Sequence, residues 1–360
     1  MQLLTNFNDE SKQHDQASFP FKLDYHAPKG RYKIIHQAII IPNLEAPLHY
    51  LNFVSVIGQP NIPVLHNQYA IHTDALDTVS LMCSTSPHMA GQFQHYSIRD
   101  ECVFETEDKR LLFKFGDKEQ LIGSIPNFHF SRQDRELSVE LDIELKPVLS
   151  QYTKIKLGLF DHWSLLCHCS GHLNYKGQDY QIDQLGSFEF ARAVNLPYVP
   201  FNYYISQIIN LSEQRQLILV HIRNGLNQIV MSRIYLKDLN QSHTRVFDHH
   251  VYFKVHRVYP KVTTPNHQEM YLPREFEWLY EDDDIKIRVK GESRGDYKFG
   301  FAAGYAGSFS YQVILNDVLE EGKAGYCEYV DCRQLRWQEK NQEEKNTINM
   351  LDIVPCTLKK

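Results

Sequence analysis

Between Trp163 and Tyr175 large and small side chains alternate with a period of two. Trp163, Leu165, Cys167, Cys169, Leu173 and Tyr175 fall on one face, and Ser164, His168, Ser170, His172 and Asn174 on the other. That is the pattern of a β-strand packed on one side. RELSVELDIELK (135–146) alternates as cleanly, with Val139, Leu141, Ile143 and Leu145 opposite Ser138, Glu140, Asp142 and Glu144, and predicts one solvated face. Similar runs precede it: RYKIIHQAIII (31–41), HYLNFVSVI (49–57), DTVSLMCST (77–85), QFQHYSIR (92–99) and RLLFKFG (110–116). Others follow: RQLILVHIR (215–223), QIVMSRIYL (228–236), TRVFDHHVYFKVHRVYP (244–260), FEWLY (276–280) and DIKIRVKG (284–291). Pro42-Asn43, Gly58, Pro60, Pro63, Pro87, Gly91 and Gly123 punctuate the first set. Short strands so closely separated predict antiparallel barrels or sandwiches, not alternating βαβ units.

The strand from Trp163 belongs to a segment that the chain writes twice. A constant offset matches Trp163 to Phe299, Leu165 to Phe301, Gly171 to Gly307, Leu173 to Phe309 and Tyr175 to Tyr311. A longer second hairpin then aligns Gly186 with Gly325, Glu189 with Glu328 and Phe190 with Tyr329. Such a repeat predicts two related β domains in tandem. The expected division is an N-terminal arm (1–30), a first barrel (31–200) and a second barrel (201–360), with the crossing at NLPYVPFNYYISQIINLS. The charged tail RQLRWQEKNQEEKN predicts a short C-terminal helix. In the second copy Phe299, Phe301, Tyr305, Phe309 and Tyr311 share one face, while the other holds only Gly300, Ala302, Gly304, Ala306, Ser308 and Ser310. A face so bare predicts another body in close approach. The neighbouring barrel is the expected one, with a ligand as the alternative.

Composition narrows the function classes. A chain of 360 residues is long for one β core, and 42% hydrophobic content can fill two. Its 21 Tyr and 20 Phe suit half-buried pleated surfaces. A net charge of −6 with scattered basic residues argues against nucleic acid as a partner. No run approaches the roughly 18 apolar residues of a membrane span, and the N-terminus lacks the layout of a secretory signal. Seven cysteines read as reduced thiols in a cytoplasmic protein. There is no phosphate-cradling glycine loop, nucleophile elbow or dinucleotide fingerprint, so no cofactor is expected.

Two tandem barrels with a late Gly-x-x-Glu strand in each resemble the double-lipocalin family. That family includes carotenoid 1,2-hydratases, AttH-like proteins, tocopherol cyclase and certain fungal Diels–Alderases. The resemblance rests on the architecture and on Ile182-Asp-Gln184-Leu-Gly186-Ser-Phe188-Glu189, with Gly325-Tyr326-Cys-Glu328-Tyr329 as its counterpart in the second barrel. Gln184 stands at the first glycine of the family pattern, and Phe190-Ala-Arg192 replaces its aromatic-acid-His-x-Trp continuation. The resemblance implies a cavity for a small apolar, isoprenoid- or polyketide-like molecule, without identifying one.

The candidate residues follow. Asp161-His162-Trp163 puts an acid and an imidazole beside a large ring, as alkene protonation requires, although adjacent strand residues cannot all enter one cavity. Glu189 needs a partner if buried. Arg192 lies on the opposite strand face, so Arg223, Tyr203 or Tyr204 is expected to serve. Cys167-His168-Cys169 offers poor zinc geometry, because the histidine points away from both thiols, and no metal is expected. The primary expectation is a binding protein for a small hydrophobic molecule, with Trp163, Tyr175, Tyr203 and Arg223 in contact and the first barrel as the binding domain. The alternative is a cofactor-free hydratase, cyclase or isomerase acting on an isoprenoid or polyene, with Glu189 as acid and His162 and Tyr204 as helpers.

Overall fold

A computed structural model describes residues 23–87, 93–107, 110–195, 199, 201–212 and 214–333. The chain is all-β, 67% strand and 4% helix, in two large antiparallel sheets. The first sheet contains β1 (Tyr32–Pro42), β2 (Tyr50–Ile57), β3 (Thr78–Ser84), β4 (Phe93–Ser97), β5 (Cys102–Glu107) and β6 (Arg110–Phe115). It continues through β7 (Glu119–Ser124), β8 (Asn127–Arg132), β9 (Leu137–Ile155), β10 (Phe160–Tyr175) and β11 (Gln178–Val194). The strand order is β4-β3-β2-β1-β11-β10-β9-β8-β7-β6-β5. The first strand thus pairs with the last. The two edges, β4 and β5, are consecutive in the chain and joined by one helical turn, Ile98–Glu101. A sheet whose edges are tied so closely has to curl into a barrel.

The second sheet repeats this closure. It contains β12 (Phe201–Asn210), β13 (Arg215–Asn224), β14 (Ile229–Asp238), β15 (His243–Phe247), β16 (Tyr252–Val258), β19 (Pro273–Glu281) and β20 (Lys286–Ser293). The last three strands are β21 (Lys298–Phe301), β22 (Gly304–Leu315) and β23 (Val318–Asp331), while β17 (Val262–Thr263) and β18 (Glu269–Met270) form a small ribbon of their own. The order is β15-β14-β13-β12-β23-β22-β20-β19-β16, with β21 on β22. Again first pairs with last, and the edge strands are neighbours in sequence. Among the described residues no helix is long and apolar enough to cross a membrane.

Alternation then sorts the side chains. Phe53, Phe113, Phe130, Trp163, Phe188 and Phe190 fill the first barrel. Tyr203, Trp278, Val289, Phe309 and Tyr329 fill the second. A third apolar cluster lies between the barrels, built from Ala38, Ile40, Tyr50, Val54 and Tyr152 on one side and Ile208, Val220, Tyr235, Tyr326 and Val330 on the other. Of the N-terminal arm, Leu23, Tyr25 and Ala27 pack on the first barrel, where the Tyr25 ring sits 5.0 Å from Phe190 and 5.2 Å from Phe128. The expected C-terminal helix lies outside the described residues.

The ladders correct two expectations. The run 244–260 is two strands, interrupted near His250, whose φ is +58°. The second repeat strand is also broken, by a tight hairpin at Ala302-Ala303 between β21 and β22. Trp163 pairs with Phe190 and Tyr305 pairs with Tyr329, so the structural counterpart of Trp163 is Tyr305, not Phe299. Glu189 and Glu328 keep their equivalence. The hairpin also turns Phe301 out of the barrel, to join Ala302, Ala303 and Ala306 between the barrels. Of the bare face, Ala302 and Ala306 therefore meet the other barrel. At Gly300, with φ +134°, an added Cβ would lie 2.8 Å from the Phe93 side chain on β4. Gly304 is different. Its Cβ would stand 2.3 Å from the Tyr329 carbonyl oxygen, within the same barrel. Gly304→Ala is therefore expected to destabilise the second barrel itself, by roughly 1–3 kcal/mol, read by denaturant unfolding.

Candidate functional site

The two closing strands carry equivalent acids. On β11, Phe188 and Phe190 point into the first barrel, so Glu189 between them points out. On β23, Cys327 and Tyr329 point into the second barrel, so Glu328 points out. Both carboxyls are buried in the seam where the barrels meet.

Registers place the groups around Glu189. Ala38 on β1 and Ser164 on β10 lie directly opposite it, and one pair of residues along the strands His36, Ala191 and His162 form a row. Glu189 Oε1 accepts from the Tyr152 hydroxyl at 3.1 Å and from Ser187 Oγ at 3.3 Å. Its Oε2 lies 3.7 Å from His162 Nε2 and 3.9 Å from His36 Nε2. From the other barrel Lys237 reaches in, its Nζ donating to Ser164 Oγ at 2.5 Å. Arg233 donates to the Tyr152 carbonyl at 3.0 Å. Around Glu328, Tyr204 and Tyr326 hydroxyls bond its two oxygens at 3.2 and 3.1 Å, and Asn52 of the first barrel donates to Tyr326 at 2.8 Å.

The two equivalent acids have opposite electrostatics. Burial pushes the Glu328 carboxyl well above its ordinary range, and the charge of Glu189 pushes the same way against the tyrosine hydrogen bonds. Burial also works to raise Glu189, but the His162 and His36 imidazoles beside its Oε2 hold it well below that range. Burial lowers the His162 imidazole, with Glu189 opposing. Burial likewise brings the Lys237 amine down to about 7, against the attraction of Glu189. Tyr152, Tyr204 and Tyr326 are driven up by burial and stay neutral donors. One carboxylate, one carboxylic acid and a weakened lysine thus share the seam, an arrangement suited to proton transfer.

The residues expected from sequence divide between three places. His162, Glu189 and Tyr204 converge on the seam. Trp163 lies on the other side of the first sheet, fully buried in the barrel. Tyr175 packs against the same core far along β10, with its hydroxyl on the Pro87 carbonyl at 3.0 Å. Tyr203 lies inside the second barrel beneath the Arg333 guanidinium, and Arg223 bonds His221 and Asn227. The expected partner of Glu189 is corrected in part: Arg223 lies elsewhere, while Tyr152, Ser187 and the two histidines are its neighbours. Arg192 pairs with Asp24 at 2.5 Å. Cys167 and Cys169 turn into the barrel core while His168 pairs outside with Asp183 at 2.9 Å, as their alternation requires.

Sequence reasoning missed His36, Tyr152, Ser164, Ser187 and Lys237 as site residues. Period two places Ser187 beside Glu189, and Ser164 beside His162. Nothing local marks Arg233, Tyr235 and Lys237 as a face that another barrel covers.

Residues 54–344 match the model of the family of unknown function (DUF6670), and the chain belongs to that family. No curated protein matches it. Among solved structures it resembles a candidate AttH from Nitrosomonas europaea, at 14% identity and TM-score 0.58, over 88% of this chain and 98% of that one. It also resembles the crystal structure of CghA, at 6% identity and TM-score 0.53, over 89% and 97% of the two chains. The chain therefore has the double-lipocalin fold.

Opposite protonation predicts opposite mutational behaviour. Glu328→Gln replaces a neutral acid by a neutral amide and is expected to gain stability over wild type as pH rises above about 4.5, because only the wild type must then hold a proton that its unfolded chain has lost. Glu189→Gln removes an anion and is expected to cost roughly 2–3 kcal/mol at neutral pH. Chemical denaturation at pH 5 and pH 8 separates the two. Lys237 is protonated below about 7 when folded and below 10.5 in its ordinary state. Between those values the unfolded chain binds the extra proton, so wild type should gain a few kcal/mol on Lys237→Met as pH rises through that window. Thermal midpoints of the two proteins between pH 6 and 10 check the sign.

Proposed function

We propose that this DUF6670 member binds a small, mostly apolar molecule at the seam between its barrels. The observation that carries this reading is the buried polar cluster of Glu189, Glu328, Tyr204 and Lys237, set within the apolar inter-barrel surface. A few convergent polar groups in apolar surroundings are what small-molecule sites require. The barrel interiors, where Trp163 and Tyr203 lie, are packed with aromatic and aliphatic side chains, which favours the seam over the first-barrel interior. The odd number of cysteines keeps the cytoplasm as the compartment in this reading.

A second reading, cofactor-free hydration, cyclisation or isomerisation of an isoprenoid or polyene, is favoured by the divergent protonation of the two acids. In it Glu328, rather than Glu189, holds the proton that is passed to an alkene carbon, and the faces of Tyr152 and Tyr204 steady the resulting cation. Glu189 with His162 forms the anionic pole of the site.

Native mass spectrometry of gently purified protein tests the binding. A bound apolar molecule is expected, with Tyr204→Phe weakening it several-fold and Tyr203→Phe, on the opposite strand face, leaving it intact. The absence of any co-purifying molecule, together with no saturable uptake of an apolar fluorescent probe, would overturn the reading. Loss on Tyr203→Phe alone would move the site into the second barrel.

A further inference from the structure

We propose that His36, His162 and Glu189 form a binding site for a divalent transition-metal ion. Their three ligand atoms lie within 4.8 Å of one another, on one face of three adjacent strands. His36 on β1 and His162 on β10 flank Ala191, and Glu189 stands two residues before Ala191 on β11 between them. Ala191, with only a methyl side chain, stands at the centre of the row between the two imidazoles.

Several features distinguish this arrangement from an ordinary ion pair. A charge-assisted hydrogen bond closes to about 2.7–2.9 Å, whereas Glu189 Oε2 stands 3.7 and 3.9 Å from the two Nε2 atoms. His162 Nε2 is buried and has no hydrogen-bond partner. Metal bonds of about 2.05 Å at tetrahedral angles set donors about 3.3 Å apart, so the two oxygen–nitrogen distances need to contract by only about half an ångström, and no pair of donors by more than about 1.5 Å. Two neutral imidazoles and one carboxylate are the donor set of catalytic zinc and of non-haem iron(II).

The surroundings support the same reading. His36 Nδ1 lies 3.1 Å from the Ser55 carbonyl oxygen. A carbonyl only accepts, so Nδ1 carries a hydrogen, which leaves Nε2 as the ring atom that can bind an ion, with release of any proton it holds. Glu189 Oε1 is occupied by Tyr152 and Ser187, which leaves Oε2 for the ion. Each histidine side chain is 19% exposed, so the triad is not sealed within the core.

The repeat supplies a control within the molecule. Register makes Tyr204 the counterpart of His36 and Gly304 the counterpart of His162, since Ser206 and Ala306 flank Glu328 as Ala38 and Ser164 flank Glu189. The acid is duplicated but the imidazoles are not, so among the described residues only the first barrel has the triad. A metal on Glu189 removes the free anionic pole of the cofactor-free reading, and it is compatible with binding of an apolar molecule nearby.

The test uses the whole chain stripped with a chelator, then titrated with zinc and, separately, cobalt(II) and iron(II). About one ion per chain is expected, with a cobalt visible spectrum typical of low coordination number. Copper(II) loaded into the same protein should show two nitrogen couplings in its electron paramagnetic resonance spectrum. His162→Ala and, should that variant fold poorly, His36→Gln are expected to weaken binding at least 10–100-fold, while Tyr326→Phe leaves it unchanged. Wild type that takes up no ion, spectra without two nitrogen ligands, or folded triad variants that bind as tightly as wild type would each overturn the proposal. None of these readouts involves an apolar molecule, so failure here is distinct from failure of the binding reading.

Discussion

The structure depends on pairing the first strand of each barrel with its last. β1 on β11 and β12 on β23 close two long meanders, and each closure leaves its open edges between strands consecutive in the chain. Both closing seams then face one another across the inter-barrel cluster. A buried surface of this kind would ordinarily be apolar throughout, and most of it is, from Ala38 and Ile40 to Tyr326 and Val330. At its centre, however, each closing strand presents a glutamate. Burying two acids of like charge within electrostatic reach is tolerable only if one is neutral or well compensated. The contacts that Glu189 and Glu328 make answer that requirement.

The compensation is uneven. Among the described residues Glu189 has two histidines, a tyrosine and a serine beside it, while Glu328 has two tyrosines and no cation as hydrogen-bond partners. A duplicated element has thus acquired two environments. The first holds charge and the second holds a proton. This asymmetry is where chemistry can arise in an otherwise repetitive scaffold, and it draws residues from both barrels: Lys237 on β14 contacts Ser164 on β10, and Asn52 on β2 contacts Tyr326 on β23. A barrel in isolation would keep the direct partners of its own glutamate and lose these cross-seam contacts. The barrels are also clamped away from this centre, where Ser86 donates to Asp296 at 2.5 Å and Lys298 donates to the Ser86 carbonyl at 2.7 Å.

Much of the fold was legible along the chain. Period-two alternation in β9 and β10 sets which side chains enter the first barrel, and it separates Trp163 from His162 and Cys167 from His168 without any tertiary information. The Gly-x-x-Glu repeat marks the last strand of each barrel, because equivalent strands meet equivalent packing. The bare face of the second copy announces a close neighbour, since small side chains are needed where two sheets approach. Strand pairing was not legible. A hairpin at Ala302-Ala303 breaks the second copy and an irregularity between Phe309 and Tyr311 shifts the register of β22 against β23, and alternation looks the same on either side of such a shift. The site was hidden for a related reason. Alternation shows that Glu189 and Phe188 face opposite ways, but it is silent on what covers the outer face. His36, Glu189 and His162 come together because β1, β11 and β10 are adjacent, and Lys237 arrives because the second barrel packs on the first. Those are facts about pairing between distant segments, which the sequence of any one strand does not contain.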